Sequence, residues 1–264
     1  MPVDGRRHDG NMKIALLGDV HCLWPALRAV LEDARRWGAE LILNAGDSFG
    51  LGGFPNETLK ALFASDVRSI IGNWEASLLR RGELAETVRE KFSNPATQEA
   101  LLKVWERAGP EGQAAWRQFA ELTPSRWRYR VNGYRLWLCH HTDVARVDKE
   151  APWAKLVEAA ERHRAQIFVV GHTHEPLIRH HNGICVINVG FVGRLRHWEP
   201  FADYVRLEVA PTPHARLRRV RYDIGEVLER LEELEMPKEF LHRVLHPRTG
   251  YRKKVKKKGK KRKR

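Results

Sequence analysis

Residues 13–21 read Lys13-Ile14-Ala15-Leu16-Leu17-Gly18-Asp19-Val20-His21: a short apolar run, a glycine, then two side chains able to bind metal. An apolar run of this length stopped by a glycine predicts a buried strand. The pattern recurs. Residues 41–43 lead to Gly46-Asp47, and residues 67–71 to Gly72-Asn73. The run YRLWLC (134–139) leads to His140, and residues 167–170 lead to Gly171-His172-Thr173-His174. Helical patterns fill the first gaps. Pro25 suits the first turn of a helix that continues with Leu27, Val30, Leu31 and Ala34. Asn56 is placed to cap a second helix carrying Leu59, Leu62 and Phe63. Strand and helix in alternation predict parallel strands joined by right-handed crossovers. The carboxyl ends of such strands face a common crevice, so the polar residues after them are expected to converge. The glycines before Asp19, Asp47, Asn73 and His172 are expected to let the backbone turn there.

Outward from this frame the chain changes character. Residues 76–122 hold no convincing strand. Their apolar spacing predicts two or three helices, broken near Asn94-Pro95 and Gly109-Pro110, forming a helical insertion in which Trp105 and Trp116 are core. Asn132-Gly133 predicts a hairpin between strands 127–131 and 134–139, and His181-Asn182-Gly183 a second between 177–180 and 184–188. A helix is expected at about 152–163, strands at 204–209 and 217–222, and helices at 225–234 and 237–245. Residues 12–250 are expected to form one domain, after a flexible polar leader at 1–11.

The formal charge of +14 is unevenly spread: residues 252–264, RKKVKKKGKKRKR, hold 11 cations and account for all but +3 of it. Such a segment has nothing apolar to bury, so residues 251–264 are expected to be a disordered basic tail. Its lysines (Lys253, Lys254, Lys256, Lys257 and Lys258) are candidate non-specific contacts to nucleic-acid phosphates. No apolar run approaches the roughly 20 residues that span a bilayer. Cys22, Cys139 and Cys185 are odd in number and widely spaced, which favours reduced, buried thiols and a cytoplasmic protein over a disulfide framework.

Asp19, His21, Asp47, Asn73, His140, His172 and His174 together offer seven oxygen and nitrogen donors, too many for one tetrahedral site but suitable for two divalent ions such as Mn, Fe, Zn or Ni. The ordered motifs DxH, GD, GN, strand-terminal His and GHxH resemble the calcineurin-like metallophosphoesterase superfamily, from about residue 12 to 222. GDSFGLGGFPNE (46–57), GHTH (171–174) and Asn188-Val189-Gly190 are similar to small bacterial metallophosphatases related to diadenosine tetraphosphatases. The resemblance implies a four-layer α-β-β-α sandwich of two mixed sheets flanked by helices. It also implies a site in which Asp19, His21 and His174 hold one metal, Asn73, His140 and His172 the second, and Asp47 bridges. The ions, manganese favoured, would clamp a phosphate and activate a bridging hydroxide for in-line attack.

One position departs from the family pattern. Where many members carry GNH followed by an acid, this chain has Gly72-Asn73-Trp74-Glu75. Indole cannot transfer a proton at working pH, so the catalytic acid is missing from its usual place. His141 is the nearest substitute. Trp74 is a candidate for stacking on a nucleotide base, and Arg194 and His197 are candidates to meet substrate phosphate. The resulting expectation is a hydrolase of phosphate mono- or diesters, with nucleotide-type diesters favoured. The competing reading is a nucleic-acid-associated or protein-interaction scaffold with weak or no catalysis. The complete donor set argues against it.

Overall fold

The computed structural model describes residues 11–64, 66–80, 84–195 and 200–245. The chain opens with β1 (Met12–Leu17), α1 (Trp24–Arg36), β2 (Leu41–Asn44), α2 (Pro55–Leu62) and β3 (Val67–Ser69). Three helices follow: α3 (Asn73–Leu78), α4 (Leu84–Lys91) and α5 (Pro95–Leu122). Next come β4 (Arg126–Val131), β5 (Tyr134–Cys139), α6 (Trp153–Arg162), β6 (Ile167–Val170), β7 (Leu177–His181) and β8 (Ile184–Asn188). The last elements are β9 (Phe201–Val209), β10 (Pro213–Arg221), α7 (Ile224–Glu233) and α8 (Lys238–Leu245).

Two mixed five-stranded sheets result, in the orders β10-β9-β1-β2-β3 and β4-β5-β6-β8-β7. The expected parallel pairs are present, β1 with β2 and β2 with β3, and β5 also runs parallel to β6. The strand period of two divides the core. In β1, Ile14 and Leu16 face the other sheet and meet Leu43, Leu138, Val169 and Ile187. Ala15 and Leu17 face the opposite way, into a cluster with α1, α2 and α5. Outside the second sheet, α6 packs Leu156, Ala159 and Ala160 against Trp137 and Phe168. The outcome is helix, sheet, sheet, helix. Both hairpins turn as expected, with Asn132-Gly133 and Asn182-Gly183 at positive φ, the requirement of the type I′ turn.

Several local expectations are corrected. Asn56 does not cap α2. The cap is Phe54 with no side-chain bond, because Pro55 already starts the helix, and Asn56 instead donates from Nδ2 to Ala108 O in α5. Strand β3 ends at Ser69 rather than residue 71, since the chain lifts off β2 to deliver Asn73. Asn94 does cap α5, accepting from Thr97 N at 2.9 Å. The break expected near Gly109-Pro110 is present: Gly109 is non-helical at φ 67°, ψ 172°, and two helical stretches of α5 meet there at a kink. Trp105 and Trp116 are buried, their rings edge-on to Phe49 at 5.5 and 5.3 Å. Cys22, Cys139 and Cys185 are free and buried. His163 is half-buried and stacks on Trp137 at 4.4 Å.

Candidate metal centre

Asp19 and His21 follow β1, Asp47 follows β2, Asn73 opens α3 after β3, His140 follows β5, and His172 and His174 follow β6. Short backbone bonds stitch these loops together: Asp19 N donates to Gly46 O, His21 N to Asp47 O, and Gly171 N to His140 O, at 2.9–3.0 Å. The role expected of the glycines is corrected. Of the four, only Gly46 has positive φ, whereas Asp19, His21, Asp47, His172 and His174 are themselves left-handed. That region is costly for non-glycine residues, and the surrounding bonds hold them in it. The glycines serve close approach. A Cβ on Gly171 would stand 2.7 Å from Asp19 Oδ2, and one on Gly72 would overlap Asp47 Oδ1.

Two groups of donor atoms result, one from Asp19, His21 and His174, the other from Asp47, His140 and His172. His21 Nε2 lies 3.1 Å from His174 Nε2, and His174 Nε2 lies 3.3 Å from Asp19 Oδ1. His140 Nε2 stands 3.1 Å from both Asn73 Oδ1 and Asp47 Oδ2, and His172 Nδ1 is 3.0 Å from Asn73 Oδ1. Outer partners set the tautomers. His21 Nδ1 donates to Phe49 O and His140 Nδ1 to Ala45 O, leaving each Nε2 aimed inward. The donors fit divalent ions: neighbouring ligands on one ion with bonds of about 2.1 Å stand about 3.0–3.4 Å apart.

The electrostatics point the same way. Burial holds His21 and His172 below the ordinary histidine value, with neighbouring histidines adding to the effect, so both rings are neutral donors near pH 7. Burial also opposes charge on His140, but the carboxylate of Asp47 overcomes it and pushes that ring up to about 9. Asp47 lies below the usual carboxylate range, because His140 outweighs the cost of its burial. The pair therefore calls for positive charge between Asp47 Oδ2 and His140 Nε2, which a proton or a metal ion can supply.

Glu75, which carries no signal in the sequence beyond its place after Trp74, is a central prop. Fully buried, it accepts from Gly72 N, Asp47 N and Phe49 N at 2.7–3.0 Å, and burial beside Asp47 raises its carboxyl to about 7. Asn188 does the same for the other sheet, donating to Gly171 O, Val147 O and Thr173 Oγ1 at 2.9 Å. Trp74 donates its backbone N–H to Asp47 Oδ1, and its indole lies edge-on to His21 at 5.6 Å and stacks on Phe92 at 5.0 Å. With Leu51, Phe191 and Leu195 it lines an apolar pocket of about 440 Å³ on the His21–His174 side. Across the centre a cleft of about 620 Å³ is lined by Asn73, Lys91, Arg126, His140 and His141. His141 is exposed, its ring 5.3 Å from that of His172. Lys91, whose position no motif signalled, donates to Asn73 O at 2.8 Å and to Ser77 Oγ. Arg194 is directed at buried Asp203, 3.1 Å away, while its neighbours Gly193 and Leu195 line the apolar pocket. His197 and the tail lysines lie outside the described residues.

Residues 12–211 match the calcineurin-like phosphoesterase superfamily domain. An uncharacterized protein of Methanocaldococcus jannaschii is 24% identical over 85% of this chain and 93% of its own. Two crystal structures share the fold over 89% of this chain and 98% of theirs. One is a hypothetical protein of Pyrococcus horikoshii OT3, with TM-score 0.75 and 18% identity. The other is a metallophosphoesterase of Sphaerobacter thermophilus, with TM-score 0.67 and 24% identity. No helix of the described residues is long and apolar enough to cross a membrane. With its two-sheet sandwich, its paired donor groups and a domain match covering most of its length, this chain belongs to the calcineurin-like phosphoesterase superfamily.

Proposed function

We propose that the chain is a two-metal hydrolase of phosphodiesters of nucleotide type. Asp19, His21 and His174 would hold one ion, Asn73, His140 and His172 the other, and Asp47 would serve both. The observation that carries this reading is the convergence of oxygen and nitrogen donors from five strand ends into two groups, in each of which the atoms lie within 4.8 Å of one another, with Asn73 Oδ1 3.1 Å from His140 Nε2. When bound, divalent ions of manganese type would supply Lewis acidity toward phosphoryl oxygens and acidify a water. The protein's own part is geometric. Glu75 and the Trp74 N–H fix Asp47, carbonyl oxygens fix the rings of His21 and His140, and the close glycines keep the loops in contact.

A diester is favoured because the centre opens on two chemically different sides, and a diester has two organic arms where a monoester has one. The arm beside Trp74 and Phe191 meets an apolar, aromatic wall suited to a planar group. Proton donation to the leaving oxygen falls to His141, the exposed imidazole beside His172. The test is metal analysis of the purified protein combined with Mn²⁺-supplemented assays on bis(p-nitrophenyl) phosphate and p-nitrophenyl phosphate. Bound metal and faster diester cleavage are expected. Inactivity with every metal would overturn the enzyme reading, and equal or faster monoester cleavage the diester preference.

A further inference from the structure

The edge strand β4 carries Arg126, Arg128 and Arg130 at alternate positions, all exposed, while Tyr129 and Val131 between and after them are buried in the inter-sheet core. Alternate residues of a strand share one face and repeat every 6.8 Å or so. The three guanidinium groups therefore form a row. Its direction is set by register. Arg126 pairs with Cys139, the residue before His140, Arg128 with Trp137, and Arg130 with Arg135. The row starts in the cleft beside Asn73 and His140, which Arg126 lines, and runs away from it along the open edge of the sheet.

No carboxylate pairs with these three arginines among the described residues. By contrast, the cleft's Arg80 and Arg162 are engaged by Glu90 and Asp143. Arg128 lies 4.4 Å over the Trp137 ring, which also stacks on His163, so its charge is held in place. Arg130 faces Arg135 directly across the strands, a like-charge pair that is unfavourable by itself. An unneutralised row of one sign, leading out of a candidate phosphoesterase centre, is organised for a chain of anions.

We infer that β4 is a track for single-stranded nucleic acid. One nucleotide base would occupy the Trp74–Phe191 pocket, a phosphate would lie at the metal centre, and the following phosphates would pass Arg126, Arg128 and Arg130 in turn. The pairing of an aromatic pocket with a cationic row favours nucleic acid over a purely inorganic polyanion, which has no use for the pocket. The placement of the scissile phosphate rests on the diester reading above; the track itself does not.

The experiment compares the full chain with its R126A/R128A/R130A variant by fluorescence anisotropy, using a labelled oligothymidylate of about twelve nucleotides over a salt series. The tail is present in both, so its contribution cancels. The variant should bind at least tenfold more weakly. Its log K against log salt should be flatter by about 2, at roughly 0.7 per phosphate contact on a single strand. The R126K/R128K/R130K variant, which keeps the charges, should recover most of the affinity. Unchanged affinity and slope in the alanine variant overturn the track. Inorganic polyphosphate of equal charge competing as well as a second oligonucleotide overturns the nucleic-acid assignment. In Mn²⁺ assays the alanine variant's selectivity for the oligonucleotide over bis(p-nitrophenyl) phosphate should fall at least tenfold. A wild-type chain that binds the oligonucleotide through these arginines but cleaves no diester overturns the catalytic reading alone.

Discussion

Asp47 divides one carboxylate between frame and chemistry: Oδ1 accepts the Trp74 N–H at 2.9 Å, and Oδ2 faces His140 Nε2 at 3.1 Å. Behind it Glu75 accepts three buried N–H groups. Glu75→Ala should strip all three of their acceptor and lower stability by about 3 kcal/mol, at about 1 kcal/mol each, measured by urea denaturation. Loss of bound metal should accompany it, because Asp47 N and Gly72 N lose their common anchor. His141 makes a different prediction. If it is the proton donor, His141→Ala should slow esters of poor leaving groups by roughly 10²-fold and p-nitrophenyl esters far less. Equal losses on both substrates would remove it from that role. Glu75 was readable in the sequence only as a letter after Trp74, since nothing local tells that three backbone donors from two loops point at it.

The elements themselves were largely legible, because their signals are local. Apolar runs of strand length, Asn-Gly turns and helical spacing each depend on a few neighbouring residues. The errors are also local rules overridden by packing, as where Pro55 starts α2 and frees Asn56 to reach α5. Within α5, Gly109 sits at φ 67°, ψ 172° with open space around the position of a Cβ. Gly109→Ala should therefore cost about 1–3 kcal/mol through backbone strain alone, read as a lower denaturation midpoint with no change in metal content. Another element-level device ties α1 to the antiparallel edge of its sheet. Asp33 of α1 accepts from Tyr204 and Arg206 of β9 and from Arg218 of β10. Burial alone would raise its carboxyl, but these donors hold it at about 2, against an ordinary value of 3.8. A depressed acid stabilises the fold above its unfolded value and loses that contribution as pH falls through its folded one. Asp33→Asn should thus cost about 2 kcal/mol at pH 7. The difference from wild type should shrink between pH 4 and pH 2 in pH-dependent melts.

At the scale of the whole molecule, the metal centre is also a seam. Its donors come from both sheets, with Asp19, Asp47 and Asn73 from one and His140, His172 and His174 from the other. Imidazole nitrogens 3.1–3.2 Å apart, as in His21–His174 and His140–His172, stand close enough to share one cation. Metal should therefore act as a ligand that binds only the folded state. Chelation with EDTA should lower the melting temperature, and Mn²⁺ should restore it in a concentration-dependent way. A melting temperature indifferent to both would count against ions at this seam.

The sequence by itself determined the elements, their alternation, and which donors follow which strands. Those properties are written in contiguous residues: a period, a stop signal, a polar side chain after it. It carried the departure at Trp74 as well. The tertiary structure decided what those residues stand beside. Lys91 of α4 and Phe92 just after it reach Asn73 and Trp74, Glu75 underpins Asp47, and the register of β4 against β5 aligns three arginines with the mouth of the cleft. Such juxtapositions depend on how separate segments pack. No local pattern encodes them.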